Sequence, residues 1–392
     1  MSLIIKYIFA SPSLKGSSVQ TKVQTQINSL IKSGANCRGV FFSTEVITIE
    51  KWDENIDFYP VERCNWKYFK HLGQRLYLSR AIRSYIKREY SKTNYFYIRY
   101  VGGSYNMYRI SLKFGDKIVS EHQSKEVEEI ESFKHLHPFG LRPSKLFSWF
   151  QYYAFPLMNE KIWGDSYIRN INLVVSVTKE ILEYQKNKGA KNSIVVANGI
   201  NVNDYKLRNQ PDFELPLKIL FLKGTSTDAP WNGLERIINS IDKYIGKKNI
   251  ELIICGHYIQ GEIPIKSYIK HLGYLNKEQV DKLMDEVHIG FSTMALYKQG
   301  LQEASSLKTR EYISRGLPFI YAYNDTDLNK DSEEFTFKFQ NDESLIDMEK
   351  VVGFAKRVLN DKEMPGKMRK YSEGHLDYDV KMKRLLYNLN AL

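Results

Sequence analysis

Glu303 and Glu311 stand seven residues apart in "QEASSLKTREYISRGLPFI", residues 302–320, with Ser305, Ser306 and Lys308 between them. Gly316 and Pro318 mark the end of a helix that runs through Tyr312, and Ser305 or Ser306 is expected as its N-cap. A helix start offers unpaired N–H groups and positive potential, and two small serines let a phosphate approach the backbone. Lys308 adds a mobile cation in the first turn. Glu311 is an acceptor-only group able to take two hydroxyl hydrogen bonds, as a ribose offers. Glu303, still in the loop, could bond a sugar or stabilise positive charge beside a phosphate. The set fits a sugar diphosphate nucleoside lying across a helix start, although Glu and Ser at such places commonly serve only as caps.

Other chemistry-bearing patterns are thinner. "NDTD" with Asp325 and Asp327, and "LDYD" with Asp377 and Asp379, match a short metal-binding D-x-D pattern, but Asp325 follows a late strand and a loop or cap role is expected. His135 and His137 lack an evident third ligand, so no metal site is expected. No G-x-S-x-G, Walker loop or C-x-x-C occurs, which argues against hydrolase, NTPase and redox classes.

The elements that must position these residues alternate. Apolar runs of four to eight residues alternate with helical-period segments, the pattern of α/β layers with mostly parallel sheets. In the first half the expected strands are "IIKYIFA", "CRGVFF", "NYFYIRY", "DKIVSEH", "NLVVSV" and "SIVVAN". "VQTKVQTQINSLIKSG" and "TKEILEYQKNKG" read as helices closing on glycine. After "NDYKLRNQPDFELPL" the alternation restarts with "KILFLKG", "IELIICG", "SYIKHLGY", "VHIGFST" and "LPFIYAY". A linker is therefore expected near 204–215. The domains are 1–203, completed by a C-terminal helix or helix pair at about 371–392, and 204–370. With 392 residues, 43% hydrophobic and 26% charged, the chain is expected to fold as two globular domains.

"LIIKYIFA" reads as a buried first strand and not a leader, and no apolar run is long enough to span a bilayer. Cys37, Cys64 and Cys255 are odd in number and far apart, which fits a reducing, cytoplasmic setting. Charge is divided unevenly: residues 1–203 hold 29 basic against 17 acidic residues, while the remainder is balanced at 28 each. Ten basic residues face one acid, Glu89, between Arg63 and Arg99. Tyr68, Leu72, Leu76, Ile82 and Ile86 recur there at near-helical spacing among Lys67, Lys70, Arg75, Arg80, Arg83, Lys87 and Arg88. This basic amphipathic helix is either a solvated face or a surface for anionic lipid or a phosphate-bearing acceptor; without a nucleic-acid motif, no nucleic-acid partner is expected.

The run "EASSLKTREYISRGLPFI" resembles the E-x7-E segment of retaining glycosyltransferase family four, in the variant with S-x-x-K before the second Glu. "GSSVQTKVQTQINSLIKSG" is similar to that family's first glycine loop and helix, "VVSVTKEILEY" to its serine-bearing strand end, and "SIVVANGINVNDY" to its "pNGvd" segment. "HLGYLNKEQVDKLMDEVHIGFST" resembles the segment before E-x7-E, so the likeness runs in order over nearly the whole chain. It implies the GT-B fold, two Rossmann-like domains facing each other across a cleft, with the nucleotide sugar held by the C-terminal domain and the acceptor by the N-terminal one.

By position, the resemblance implies that Glu311 binds the ribose and Glu303 the donor sugar or its diphosphate, while Ser305, Ser306 and Leu307 meet the phosphates. Gly273 and Tyr274 would lie near the base, Gly16 and Ser17 would close on the donor, and Asn198 and Gly199 would line the cleft. His122 stands where the family often has an active-site His. Where the family commonly supplies Arg and Lys to the diphosphate, this chain has Gly224-Thr225 and Asn232-Gly233. Charge-assisted contacts to phosphate are strong, so Lys308, then Lys223, then Lys298 are the candidates to replace them.

The implied reaction is metal-independent, cofactor-free transfer from a UDP- or GDP-sugar, UDP preferred, with front-face attack and retention. Glu303, His122 and Lys308 are its expected catalytic residues. The acceptor is expected to be a glycan or lipid-linked glycan in bacterial surface polysaccharide assembly, at an anionic membrane face met by the basic 63–99 segment. The missing cations leave an alternative: a catalytically weak sugar-nucleotide- or carbohydrate-binding partner in such an assembly.

Overall fold

The computed structural model describes residues 2–10, 18–44, 54–66, 69–223, 229–256 and 263–392. They form two compact units, Met1–Ala197 with Lys381–Leu392, and Asn198–Val380.

In the first unit seven parallel strands, β1 (Ile4–Ala10), β2 (Asn36–Ser43), β3 (Ile56–Pro60), β4 (Tyr95–Arg99), β5 (Ile118–His122), β6 (Leu173–Ser176) and β7 (Ser193–Val195), lie in the order β3-β2-β1-β4-β5-β6-β7. The interior strands read as apolar runs because both faces are covered. β3 was not among the expected strands; it is half-exposed at the sheet edge, so its side chains carry no apolar run. Helices α1 (Ser18–Lys32), α2 (Lys70–Glu89), α3 (Tyr105–Phe114) and α4 (Glu126–Ser132) follow in chain order. Ile82 and Ile86 of α2 pack with Met107 and Ile110 of α3 against Ile8, Val40 and Ile98 of the sheet. Lys70, Arg80, Lys87 and Arg88 face solvent, as an amphipathic helix requires, while Lys67 and Tyr68 lie outside the described residues.

Residues 143–170 then run as α5 (Pro143–Trp149), α6 (Phe155–Asn159) and α7 (Asp165–Asn170), joined by π-helical turns at Phe150–Ala154 and Glu160–Gly164. Pro156 has no N–H to bond one turn back, which accounts for the wider first turn. α8 (Lys179–Asn187) precedes β7, and Gly34 after α1 and Gly189 after α8 take the left-handed φ expected of their capping positions.

The second unit carries six parallel strands in the order β10-β9-β8-β11-β13-β15. They are β8 (Leu217–Lys223), β9 (Ile250–Gly256), β10 (Ile269–Gly273), β11 (Ile289–Phe291), β13 (Phe319–Tyr321) and β15 (Thr336–Lys338); the short β12 (Glu303–Ala304) and β14 (Asn324–Asp325) pair separately. Helices are α9 (Leu234–Lys243), α10 (Lys277–Glu286), α11 (Leu307–Arg315), α12 (Met348–Leu359) and α13 (Met364–His375); α14 (Tyr378–Asn390) belongs from Lys381 onward to the first unit. One face packs α9 and α12 through Ile237, Ile241, Val351 and Phe354; the other packs α10, α11 and α13 through Leu283, Ile313 and Met368. Strand order reverses between β1 and β4 in the first sheet and between β8 and β11 in the second, the places where open α/β sheets split to admit ligands.

The segment expected as a linker at 204–215 instead belongs to the body of the second unit. Arg208 is buried and donates to the Val287 and His288 carbonyls, its own N–H donates to Arg315, and Asn209 N–H donates to Asp285. Its polar side chains are read as linker composition in sequence because the carbonyls they bond lie 79 to 151 residues away, beyond any local pattern.

Candidate active site

The loop after β11 and helix α11 reach the carboxyl edge of the second sheet where β8 and β11 part. Tyr312 holds α11 there: its hydroxyl accepts from Leu222 N–H at 3.1 Å and donates to the Phe291 carbonyl at 3.2 Å, so one side chain spans both strands. Its ring lies so close to Gly290 that a Cβ there would come within 2.9 Å. A buried hydroxyl cluster of Ser292, Thr309 and Tyr323, with contacts of 2.7 to 3.3 Å, fixes the first turn. Gly316 closes the helix in the left-handed conformation that the sequence required.

Ser306 occupies the N-cap position, but its side chain caps nothing. Ser305 does not cap either; its Oγ accepts from Asn198 N–H at 2.8 Å and its carbonyl accepts from Asn198 Nδ2 at 2.7 Å. The expectation of a side-chain cap is corrected accordingly: Ser305 ties the Asn198-Gly199 turn to the helix start. Arg310 completes this clasp. It is fully buried, donates to the Asn198 carbonyl at 3.0 Å, and pairs with Asp325 and with Asp327 at 2.5 Å. These aspartates thus neutralise a buried arginine, whereas a loop or cap role was expected for Asp325.

Lys308 leans across the mouth of this helix, donating to Asn232 Oδ1 at 3.1 Å with its ammonium 4.7 Å from the Phe221 ring centroid. Burial draws its pKa down to about 7. A group so poised gains its charge when an anion arrives. Glu311 accepts from Arg315 at 2.9 Å, and Arg315 also pairs with Asp281 and lies over the Tyr205 ring. Burial raises the Glu311 carboxyl above the ordinary range, against the opposing pull of Arg315. Glu303 sits half-buried in β12, held to the sheet side by pairing with Asn324. Lys223 is buried at the end of β8, where Gly256 packs so close that a Cβ would meet the Lys223 carbonyl at 1.8 Å. Gly273 ends β10 with positive φ and open space beside it, and Tyr274 is 66% exposed. Lys298 is engaged by Glu235 at 3.2 Å. Gly16, Ser17, Gly224 and Thr225 lie outside the described residues.

His122 belongs to the first unit, at the end of β5. Its ring is fully buried, 4.5 Å from the Tyr100 ring, and its Nδ1 meets Glu126 at 2.5 Å, while Nε2 has no hydrogen-bond partner among the described residues. Gln185 and Lys188 also donate to Glu126, and Lys188 bonds Glu160 at 2.8 Å. Burial alone would raise the Glu126 carboxyl, but His122 and Lys188 hold it well below the usual range. Arg310, Arg315 and the Glu126–Lys188 network escaped the sequence reading. Of these, only the Glu311–Arg315 pair has a local signal, its i,i+4 spacing.

No protein-family model matches the chain, and no curated protein sequence matches it. Solved structures do. The chain is similar over 99% of its length to 99% of sucrose-phosphate synthase from Thermosynechococcus elongatus, with TM-score 0.68 and 12% identity. It is similar over 99% of its length to the whole of Anabaena HepE in complex with UDP-glucose (TM-score 0.63, 12% identity), and over 98% to 98% of the lipopolysaccharide outer core galactosyltransferase WaaB (TM-score 0.61, 14% identity). At such identities the likeness establishes the fold, and the chain has the two-sheet α/β GT-B fold of those glycosyltransferases.

Proposed function

We propose that the chain is a retaining glycosyltransferase that moves a sugar from a nucleoside diphosphate, UDP in preference to GDP, to a glycan or lipid-linked glycan. The observation that supports the reading is that, in a GT-B fold, Tyr312 ties α11 to both β8 and β11 at the split between them, with Lys308 of its uncapped first turn over Phe221 of β8. HepE, one of the similar structures, is bound to UDP-glucose.

In the reaction an acceptor hydroxyl attacks the anomeric carbon from the side of the leaving group. The bond from that carbon to the diphosphate oxygen breaks, and the hydroxyl proton passes to the departing phosphate; no metal or redox partner enters. Charge grows on the diphosphate, and preorganised positive potential there stabilises the transition state. Lys308 and the first-turn N–H groups of α11 supply it, Glu311 takes the ribose hydroxyls, and Glu303 faces the positive character of the sugar. Asn232 stands where the resembled family has a lysine, and Lys308 reaches it, which supports a relocated cation.

Bacterial surface polysaccharide assembly at the inner membrane face is the proposed setting. Among the described residues no helix is long and apolar enough to cross a membrane. The exposed face of α2 and the exposed Phe139 and Leu141, at 60% and 87%, support peripheral contact with an anionic bilayer. Calorimetric titration of UDP and GDP into the protein and its Glu311→Ala variant tests the reading. Binding of one nucleotide that the substitution abolishes is expected, followed by turnover of its sugar. Nucleotide binding without release of diphosphate would favour the weakly catalytic partner, and silence for both nucleotides would overturn the donor site.

A further inference from the structure

The first unit holds a cavity of about 560 Å³ at the carboxyl ends of β1, β2 and β4, the reversal point of its own sheet. Arg63, Lys70, Arg75 and Arg99 line it, and no Asp or Glu is among the described residues that do. None of the four forms an ion pair among the described residues: Arg63 donates to the Thr44 carbonyl, and Arg99 Nη1 is buried with no hydrogen-bond partner. Of the carboxylates nearby, Glu121 and Glu129 lie in the field of Arg99, but their hydrogen bonds go to other groups. Glu121 is held by Lys22 at 3.0 Å, and Glu160 takes the Gly103 N–H at 2.6 Å and Lys188, so the start of α3 already has its anion. Tyr100 and Tyr152 supply flat apolar walls beside the cations.

Arg99 is partly answered by the field of Glu121 and Glu129, and Arg63 by the Thr44 carbonyl, but the four cations together carry more positive charge around one concave site than the carboxylates near it offset. Burial, followed by the charges of Lys70 and Arg75, lowers the His71 imidazole beside the cavity, the direction that neighbouring cations and desolvation demand. An anionic ligand reverses both effects, and guanidinium groups bind phosphate oxygens in paired hydrogen bonds. A neutral sugar would leave the charges unanswered.

We propose that this cavity binds the phosphate or diphosphate group of the acceptor, Arg75 and Arg99 being its principal anchors and Lys70 and Arg63 its rim. The inference rests on the transferase reading above, since it names the chemical class of the acceptor. The phosphate has two sources, a soluble sugar phosphate or a lipid phosphate.

The test is calorimetric titration of the whole chain with glucose 6-phosphate, farnesyl diphosphate and inorganic pyrophosphate, with UDP titrated in parallel to report on the second unit. Glucose 6-phosphate and farnesyl diphosphate separate the soluble from the lipid source. At least one probe should bind the wild type, and the exposed double variant Lys70→Gln/Arg75→Gln should weaken it at least tenfold, leaving UDP affinity and thermal melting unchanged. Arg99→Gln should weaken the same probe; if that half-buried substitution unfolds the chain, the exposed pair decides. UDP binding with no probe binding, or probe binding indifferent to the double variant, overturns the phosphate site and spares the transferase reading. Probe binding lost in the double variant of a protein that does not bind UDP supports the anion cavity and overturns the transferase reading instead.

Discussion

The two units handle positive charge in opposite ways. In the second, Arg310 and Arg315 are buried to within 1% and saturated: one by Asp325, Asp327 and the Asn198 carbonyl, the other by Asp281 and Glu311. In the first, Arg63, Lys70, Arg75 and Arg99 line a cavity, and none of them forms an ion pair among the described residues. The balanced charge of one half and the +12 of the other are thus two uses of the same residue types. Internal arginines fix a loop in place, whereas the unmatched ones are those proposed to meet an outside anion.

The largest expected difference tests this contrast directly. Arg310→Ala strands two aspartates, one of them wholly buried, and should destabilise the second unit by about 3–5 kcal/mol. Arg75→Ala, with no partner to orphan, should stay within about 0.5 kcal/mol. Chemical denaturation of both variants measures it, and similar losses would erase the distinction between the two arginine classes.

Next in size is the donor cation. Lys308→Met should weaken UDP binding about 10–100-fold by removing a charged hydrogen-bond donor, without loss of stability. Lys298→Met, which breaks only a surface pair with the exposed Glu235, should change UDP affinity less than about twofold. Equal losses in calorimetry would mean that the diphosphate is held elsewhere.

Glu311 offers a finer cut. Glu311→Gln should weaken UDP about tenfold if the carboxylate accepts ribose hydroxyls. The same variant should no longer distinguish UDP from 2′-deoxy-UDP, whereas the wild type should favour the ribonucleotide. A variant that keeps the full preference would remove Glu311 from the ribose and leave it only as the partner of Arg315.

What sequence could show follows from the range of the interactions. Parallel strands buried on both faces appear as apolar runs, so the interior strands of both sheets were legible, while the half-exposed edge strand β3 was not. Gly316 and Pro318 marked the end of α11 because left-handed backbone and a missing N–H are properties of single residues. Ser305 was legible as a residue of the site but not in its role. Its partner Asn198 is 107 positions away, and hydroxyls at helix starts ordinarily turn inward to cap. Arg310 meets the Asn198 carbonyl across 112 positions, which hid that bond, and its aspartates lie 15 and 17 positions away, beyond the reach of any helical or strand period. The basic cluster was plain in the charge count, yet only the fold shows that Arg63 and Arg99 meet Lys70 and Arg75 around one cavity instead of spreading along one helix.

The smallest effect has the most specific sign. Lys308 has its pKa lowered to about 7 by burial, so between that value and 10.5 the unfolded chain holds a proton that the folded, empty protein does not. Stability of the empty protein should therefore rise with pH across that window, the reverse of the usual lysine gaining a partner. Lys22 in the first unit, lowered to about 8 by burial against the pull of Glu121, adds a slope of the same sign from 8 upward. Nucleotide affinity should move the other way. Below pH 7 the ammonium is already present; above it, binding a diphosphate must first take up a proton, and affinity should fall by up to about tenfold per pH unit. Lys308→Met should flatten the affinity profile and leave the Lys22 part of the stability slope. A wild-type affinity that is level from pH 7 to 9 would mean that Lys308 meets the donor uncharged or not at all, and the excess cations of the first unit would become the only ones awaiting an anion.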